Sequence, residues 1–380
     1  MFKRIEASKE GRKRLVLALA LTVLVGLSFW AGLYLARYES QIVASSWGFS
    51  TFVFFAFVFW LFFLLQITIH ELGHLIFGLL SGYSFISLRI LSFVLVRDKN
   101  GFRLKRFSQP GVLGQSIMKP PRIQDGNFPF LLYNLGGSLL NFLISIPFFL
   151  ALVVFENIGY PQNILMLIFG TMGIFIGLIN ISPLSSGGQA TDGLNVMAML
   201  RVPGARMSFY NQLLIQGYLC QGVRPRDFEL ENLLANQELA GARSVDFTMT
   251  FFDHQQRLDS LDFEGAKRSL ERLDPYLEEL LKSYRQEVWL AKIFLELVSK
   301  GDRALIDELY DQDLKDYVNG AAPSLSSLRF TMAYEALYLK DKLGAQKTYE
   351  RILIMAQSYP LEGEAQMELE LAGYIRGLLD

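Results

Sequence analysis

Cysteine is almost absent from this chain of 380 residues: Cys220 stands alone, which excludes an intramolecular disulfide framework and a cysteine-rich metal site. Charge is scarce too, at 19% of residues, against about 25% in ordinary soluble domains. The shortage is uneven. Residues 1–200 hold 8 Asp+Glu and 15 Lys+Arg, whereas residues 201–380 hold 29 and 21. The acidic second half argues against a nucleic-acid partner, and a hydrophobic content of 51% argues against disorder. Histidine is rarer than tryptophan, with three residues against four. The first half therefore reads as a membrane protein and the second as a water-soluble appendage.

A helix needs roughly 20 apolar residues to cross the hydrocarbon core. Four stretches qualify: residues 15–36, 51–80, 128–155 and 164–183. The first follows a basic leader but exceeds the usual signal-peptide core of about 7–15 apolar residues, so it reads as an uncleaved anchor. Lys and Arg set the orientation. Six lie in residues 1–14 and eight between Arg89 and Arg122, while residues 37–50 have one and residues 156–163 none. Four crossings with both termini in the cytoplasm satisfy every connection. The expected domains are a leader, first crossing and short outer loop (1–50), a membrane core (51–200) and a cytoplasmic helical domain (201–380).

In the second half, amphipathic helical stretches alternate with short breaks. The segment from Asp262 to Leu273, with Gly265-Ala266, resembles the segment from Lys342 to Leu353, with Gly344-Ala345. Each reads as a turn followed by a helix whose alanine permits close approach. Degenerate tetratricopeptide-type hairpins and an irregular helical bundle fit about equally, and either offers a surface for a protein regulator. His254 reads as a surface or packed histidine rather than a ligand.

The chemistry concentrates in His70-Glu71-Leu72-Gly73-His74, within the second crossing. Residues four apart share a helix face, so both imidazoles can reach one ion. Zn2+ suits two imidazoles and a carboxylate with an open position for water, and Glu71 lies beside it to act as general base. This is the H-E-x-x-H arrangement of zinc proteases. Glu71 is also the only charged residue between Glu39 and Arg89. A carboxylate at that depth marks a functional site by default.

A third protein ligand is needed. Asp98 falls in a turn, Asp125 in a loop and Glu156 on the outer side, which leaves Asp192, followed by Gly193. An ordinary helix N-cap, Thr191-Asp192 before residues 193–200, is the alternative role, and the two can coexist.

Taken together, His70–His74, then Asn180-Ile181-Ser182-Pro183, then Asp192-Gly193 resemble the site-2 protease family of intramembrane zinc metalloproteases. Asn134-Leu135-Gly136-Gly137-Ser138-Leu139-Leu140-Asn141 resembles that family's small-residue-then-Asn stretch. The likeness covers about half of the chain, roughly residues 51–200. It implies an integral protein of a bacterial plasma membrane, a zinc endopeptidase with His70, His74 and Asp192 as ligands, and transmembrane or membrane-inserted peptides as substrates. It also implies the compact branch, without an inserted peptide-binding domain. Eight residues separate Pro183 from Asp192, a longer interval than the family usually shows. That interval keeps open a different class: a catalytically degenerate, membrane-anchored helical-repeat adaptor.

Asn141 and Asn180 are candidates for holding substrate, with interhelical hydrogen bonding as an equal alternative. Gly136 and Gly137 read as close-packing positions. Between the second and third crossings, Asn100-Gly101 flanked by strand-like residues signals a hairpin. Its edge strand would pair with an unwound substrate, or its Arg and Lys residues would anchor it to anionic lipid.

Overall fold

The computed structural model describes residues 26, 32, 34, 36, 48–98, 101–107, 112–124, 127–155, 158–186, 189–202, 204–228, 247–280, 282–299, 301–320 and 324–379. The first expected crossing lies almost wholly outside the described residues. The chain divides into two compact units, Met1–Ser84 with Pro121–Arg201 and Phe85–Pro120 with Val202–Asp380.

In the first unit, α1 (Phe49–Leu80), α2 (Phe130–Val154) and α3 (Gln162–Ile181) are each long and apolar enough to cross a membrane. Their bounds fall within about three residues of those expected. Only 17% of the most apolar window of α1 is buried inside the protein. The remainder presents Phe52, Phe57 and Trp60 outward. In water such a face would be an aggregation site; in lipid it is ordinary. The polar residues turn the other way, and Gln66, His70, Glu71, His74, Asn134, Asn141 and Ser145 are all buried.

Glycines let these helices meet. A Cβ at Gly73 would lie 2.3 Å from the Gly136 carbonyl oxygen, so α1 and α2 approach backbone to backbone there. The unit ends with α4 (Asp192–Arg201), reached through a two-residue ladder of β5 (Ser185–Ser186) and β6 (Gln189–Ala190).

The second unit contains a four-stranded sheet in the order β3-β2-β1-β4. Its strands are β1 (Ser84–Ile90), β2 (Phe93–Asp98), β3 (Gly101–Arg106) and β4 (Gly114–Lys119). β2 and β3 form the expected hairpin, with Asp98 opposite Gly101. The strand expected before it is two strands. Leu91, at φ 54°, turns the chain between β1 and β2 without glycine, proline or asparagine at the corner.

Two departures from expectation follow. The connection is a sheet rather than a lone hairpin, and residues 85–120 cluster with the second unit rather than with the core expected over 51–200. The physical reason is a shared core. Ile86, Val94, Val96 and Ile117 pack with Cys220 at the end of α5 (Ala205–Cys220), and Lys105 donates to the Tyr359 carbonyl. Burial pushes the Cys220 thiol up to about 12, so it serves as a small apolar side chain.

The remainder is helical, from α6 (Phe247–Asp259) and α7 (Phe263–Glu271) through α8 (Lys282–Val298), α9 (Arg303–Leu309) and α10 (Gln312–Gly320). α11 (Leu325–Ala333), α12 (Lys342–Ser358) and α13 (Glu362–Gly377) complete it. The two similar segments open the second helices of two hairpins built on one turn. Leu261 and Lys340 both take left-handed φ, at 58° and 60°. Asp262 and Asp341 then cap the next helix, accepting from the N–H of Gly265 and Gly344. Ala266 and Ala345 are fully buried, as close helix packing requires. His254 is packed: its Nδ1 donates to the Ala266 carbonyl, and burial lowers it to about 4, so it stays neutral. In the core, Arg329 pairs with Glu368 at 2.6 Å and lies over the Phe294 ring.

Two measurements check this unit. Asp341→Ala removes an N-cap and should cost about 1 kcal/mol, read as a lower thermal midpoint, while Asp341→Asn, which loses the charge but keeps a capping acceptor, should cost less. Burial, reinforced by the charge of Glu368, raises the Glu364 carboxyl to about 8. Its unfolded value is about 4.3, so its contribution to stability is complete below that pH and is lost as pH rises through about 8. Thermal midpoints should therefore fall between pH 5 and pH 9, approximately, and Glu364→Gln should flatten that slope.

Candidate metal centre

His70 and His74 lie one turn apart on α1, both buried. Asp192 comes from a distant part of the chain to meet them. Its Oδ2 lies 3.1 Å from His70 Nε2 and 3.3 Å from His74 Nε2, and the two Nε2 atoms are 3.2 Å apart. Ligands at about 2.0–2.1 Å in tetrahedral array around one zinc ion sit about 3.3 Å from each other. The three donors already have that spacing.

The outer hydrogen bonds show why these atoms converge. His74 Nδ1 lies 2.7 Å from the Tyr133 carbonyl oxygen, which can only accept, so Nδ1 carries the proton. His70 Nδ1 lies 2.8 Å from Asn141 Oδ1 and is a donor for the same reason. Both Nε2 atoms then turn lone pairs towards a carboxylate oxygen. Three acceptors facing one another repel unless a cation lies among them. A single proton bridges one pair; a metal ion satisfies all three. His70, His74 and Asp192 could thus hold a metal ion together.

The long interval before Asp192 does not carry it away. Ser185 and Ser186 pair with Ala190 and Gln189, which folds the extra residues out as a ladder. Thr191 locks its base: its Oγ1 donates to the Ser182 carbonyl at 2.6 Å and accepts from the Leu184 N–H at 3.1 Å. It also caps α4, accepting from the Leu194 N–H. The cap is therefore Thr191 rather than Asp192, whose carboxylate faces the imidazoles. Gly193 is needed next, because a Cβ there would lie 1.9 Å from the Ile181 carbonyl oxygen.

Glu71 is buried on α1, about 100° around the helix from His70. The two asparagines make different contacts, and Asn141 makes the interhelical kind. Asn141 is fully buried behind His70, with Nδ2 donating to the backbone oxygen and Oε1 of Gln66 and Oδ1 facing the imidazole. Both ends of its amide are engaged inside the protein. Asn180 donates to the Ile176 carbonyl one turn back on its own helix, and the structure does not bring it to the three ligands.

Sequence reasoning passed over Gln66. Gln66 had a readable signal: it is the only amide side chain between Ser50 and His70, and it lies one turn before His70 on the same face. Thr191 is legible as a helix cap, whereas its bonds to Ser182 and Leu184 depend on how the loop closes.

No protein-family model, curated protein or solved structure matches the chain. What the site can do rests on its own geometry.

Purified chain should carry close to one equivalent of metal by elemental analysis, and His74→Ala or Asp192→Ala should abolish it. Gly137 offers a finer check, because a Cβ there would lie 2.5 Å from the His70 ring. Gly137→Ala should displace that ring, costing about 1–3 kcal/mol of stability by overpacking and weakening metal retention.

Proposed function

We propose that this chain is an integral-membrane zinc endopeptidase of the site-2 protease type, cutting transmembrane or membrane-inserted peptides near the cytoplasmic leaflet. The observation that carries the reading is the meeting of His70 Nε2, His74 Nε2 and Asp192 Oδ2 within 3.1–3.3 Å, beside a buried Glu71 on a membrane-length helix. Two imidazoles and one carboxylate are the donor set of catalytic rather than structural zinc sites, which use four protein ligands. Zinc bound there would supply Lewis acidity, lowering the pKa of its water towards 7 and polarising the scissile carbonyl.

The remaining steps belong to the chain. Glu71 takes the proton of the attacking water and delivers it to the leaving amine, which departs neutral. Asp192 and the two histidines keep fixed positions throughout, held by the Thr191 lock, the Tyr133 carbonyl and Asn141. A substrate helix must unwind before its peptide bond can react, and its freed backbone groups then need partners. An extended strand edge is one way to supply them, by pairing with the unwound peptide. The helical domain, outside the bilayer by the distribution of Lys and Arg, offers a surface for recruiting substrate or a regulator.

Glu71→Gln tests the assignment. The variant should keep its metal while losing cleavage of membrane peptides by at least a hundredfold, following the usual worth of general acid–base catalysis. Proteomics of membrane peptides from cells carrying either form would read the loss as fragments that disappear. Retained cleavage would remove Glu71 from its role.

A further inference from the structure

We propose that Gln66 is a positioning residue for the metal-binding imidazole of His70, acting through Asn141; the inference rests on the metal-centre reading above. Gln66, Asn141 and Ser145 are each 0% exposed, within helices whose outer faces are apolar. A buried carboxamide in such surroundings is costly unless both its ends are satisfied. Here they are, in one direction only.

The direction is set by two carbonyls that can only accept. Gln66 Nε2 lies 3.1 Å from the backbone oxygen of Phe169 on α3, so this end of the amide is the donor. It also reaches Ser145 Oγ on α2, at 3.3 Å. Gln66 Oε1 therefore faces Asn141, accepting from Nδ2 at 2.8 Å. The Gln66 backbone oxygen accepts from the same nitrogen at 3.0 Å, which fixes the Asn141 amide as well. Asn141 Oδ1 is left facing His70 Nδ1 at 2.8 Å. With both amides locked, Nδ1 of His70 carries a proton, so in the neutral ring the lone pair sits on Nε2, the atom that meets Asp192.

The chain of bonds joins three helices, and the packing protects it. A Cβ at Gly173 on α3 would lie 1.9 Å from Ser145 Oγ and 2.6 Å from the Gln66 amide, so only glycine lets α3 close over the network. Turning the Gln66 amide over would set its donor against the Asn141 Nδ2 donor and its acceptor against the Phe169 oxygen. The wrong tautomer of His70 thus costs at least one hydrogen bond, at whichever link the mismatch falls. Catalytic imidazoles need such outer partners, whose loss typically weakens metal binding about 10–100-fold.

Cobalt(II) added to the full-length, detergent-solubilised chain provides a probe of both affinity and ligand geometry. Gln66→Met removes the polar link at similar volume. It should weaken Co2+ binding about 10–100-fold and shift the visible ligand-field bands, while helical content stays unchanged. Gln66→Glu, protonated at that depth, keeps an acceptor for Asn141 and a donor for Phe169, and should restore most of the affinity. Asn141→Leu should match the loss, and the double variant with Gln66→Met should be no worse than Asn141→Leu alone, because both act through one ring. If Gln66→Met yields no folded protein, Gln66→Asn, too short to span both neighbours, should give the same weakening.

A folded Gln66→Met or Gln66→Asn with wild-type affinity and bands would overturn the positioning role and leave the metal centre standing. A wild-type chain that takes up no Co2+ would overturn both.

Discussion

The convergence of two imidazole nitrogens and a carboxylate oxygen on one spot is the constraint on which the rest of this structure depends. His70, His74 and Asp192 point three acceptors at one spot, within a bundle whose outer faces suit hydrocarbon. Burial leaves little solvent to screen the repulsion, so the arrangement makes physical sense around a cation. Much of the unit serves to hold it. Gly73 and Gly136 bring two backbones together, the Tyr133 carbonyl and Asn141 orient the rings, and Thr191 brings Asp192 back from a distant segment. Stability in these apolar-faced helices is thus tied to a polar core, the reverse of the arrangement in a soluble bundle.

The sequence was most legible where one physical signal dominated. Uninterrupted apolar length marked α1, α2 and α3 closely, because the hydrocarbon thickness admits few alternatives. Helical spacing placed His70 and His74 on one face, and the sparsity of acidic residues singled out Asp192. In the helical domain, two left-handed residues followed by capping aspartates lie behind the resemblance between its segments, so one turn design was visible as a local pattern.

Other features depended on information a linear reading does not hold. The turn at Leu91 has none of the residues that normally announce a corner, and the sheet was read as a single hairpin for that reason. Its packing against Cys220 is a long-range event, invisible to local composition. Asn141 and Asn180 were grouped by residue type and by resemblance, yet their partners differ: one faces a ligand imidazole and the other its own helix backbone. The chemistry of an asparagine side chain does not say which way it turns.

The short ladder before Asp192 has an evolutionary side. Ser185–Ser186 and Gln189–Ala190 run antiparallel above a base tied by Thr191. Antiparallel strands grow by equal additions to each arm, so paired insertions would extend the tip and leave the base where it is. A lone insertion would force a bulge and twist the arm. Related chains should therefore tolerate even steps of length in this interval more readily than odd ones, with the carboxylate kept at its post.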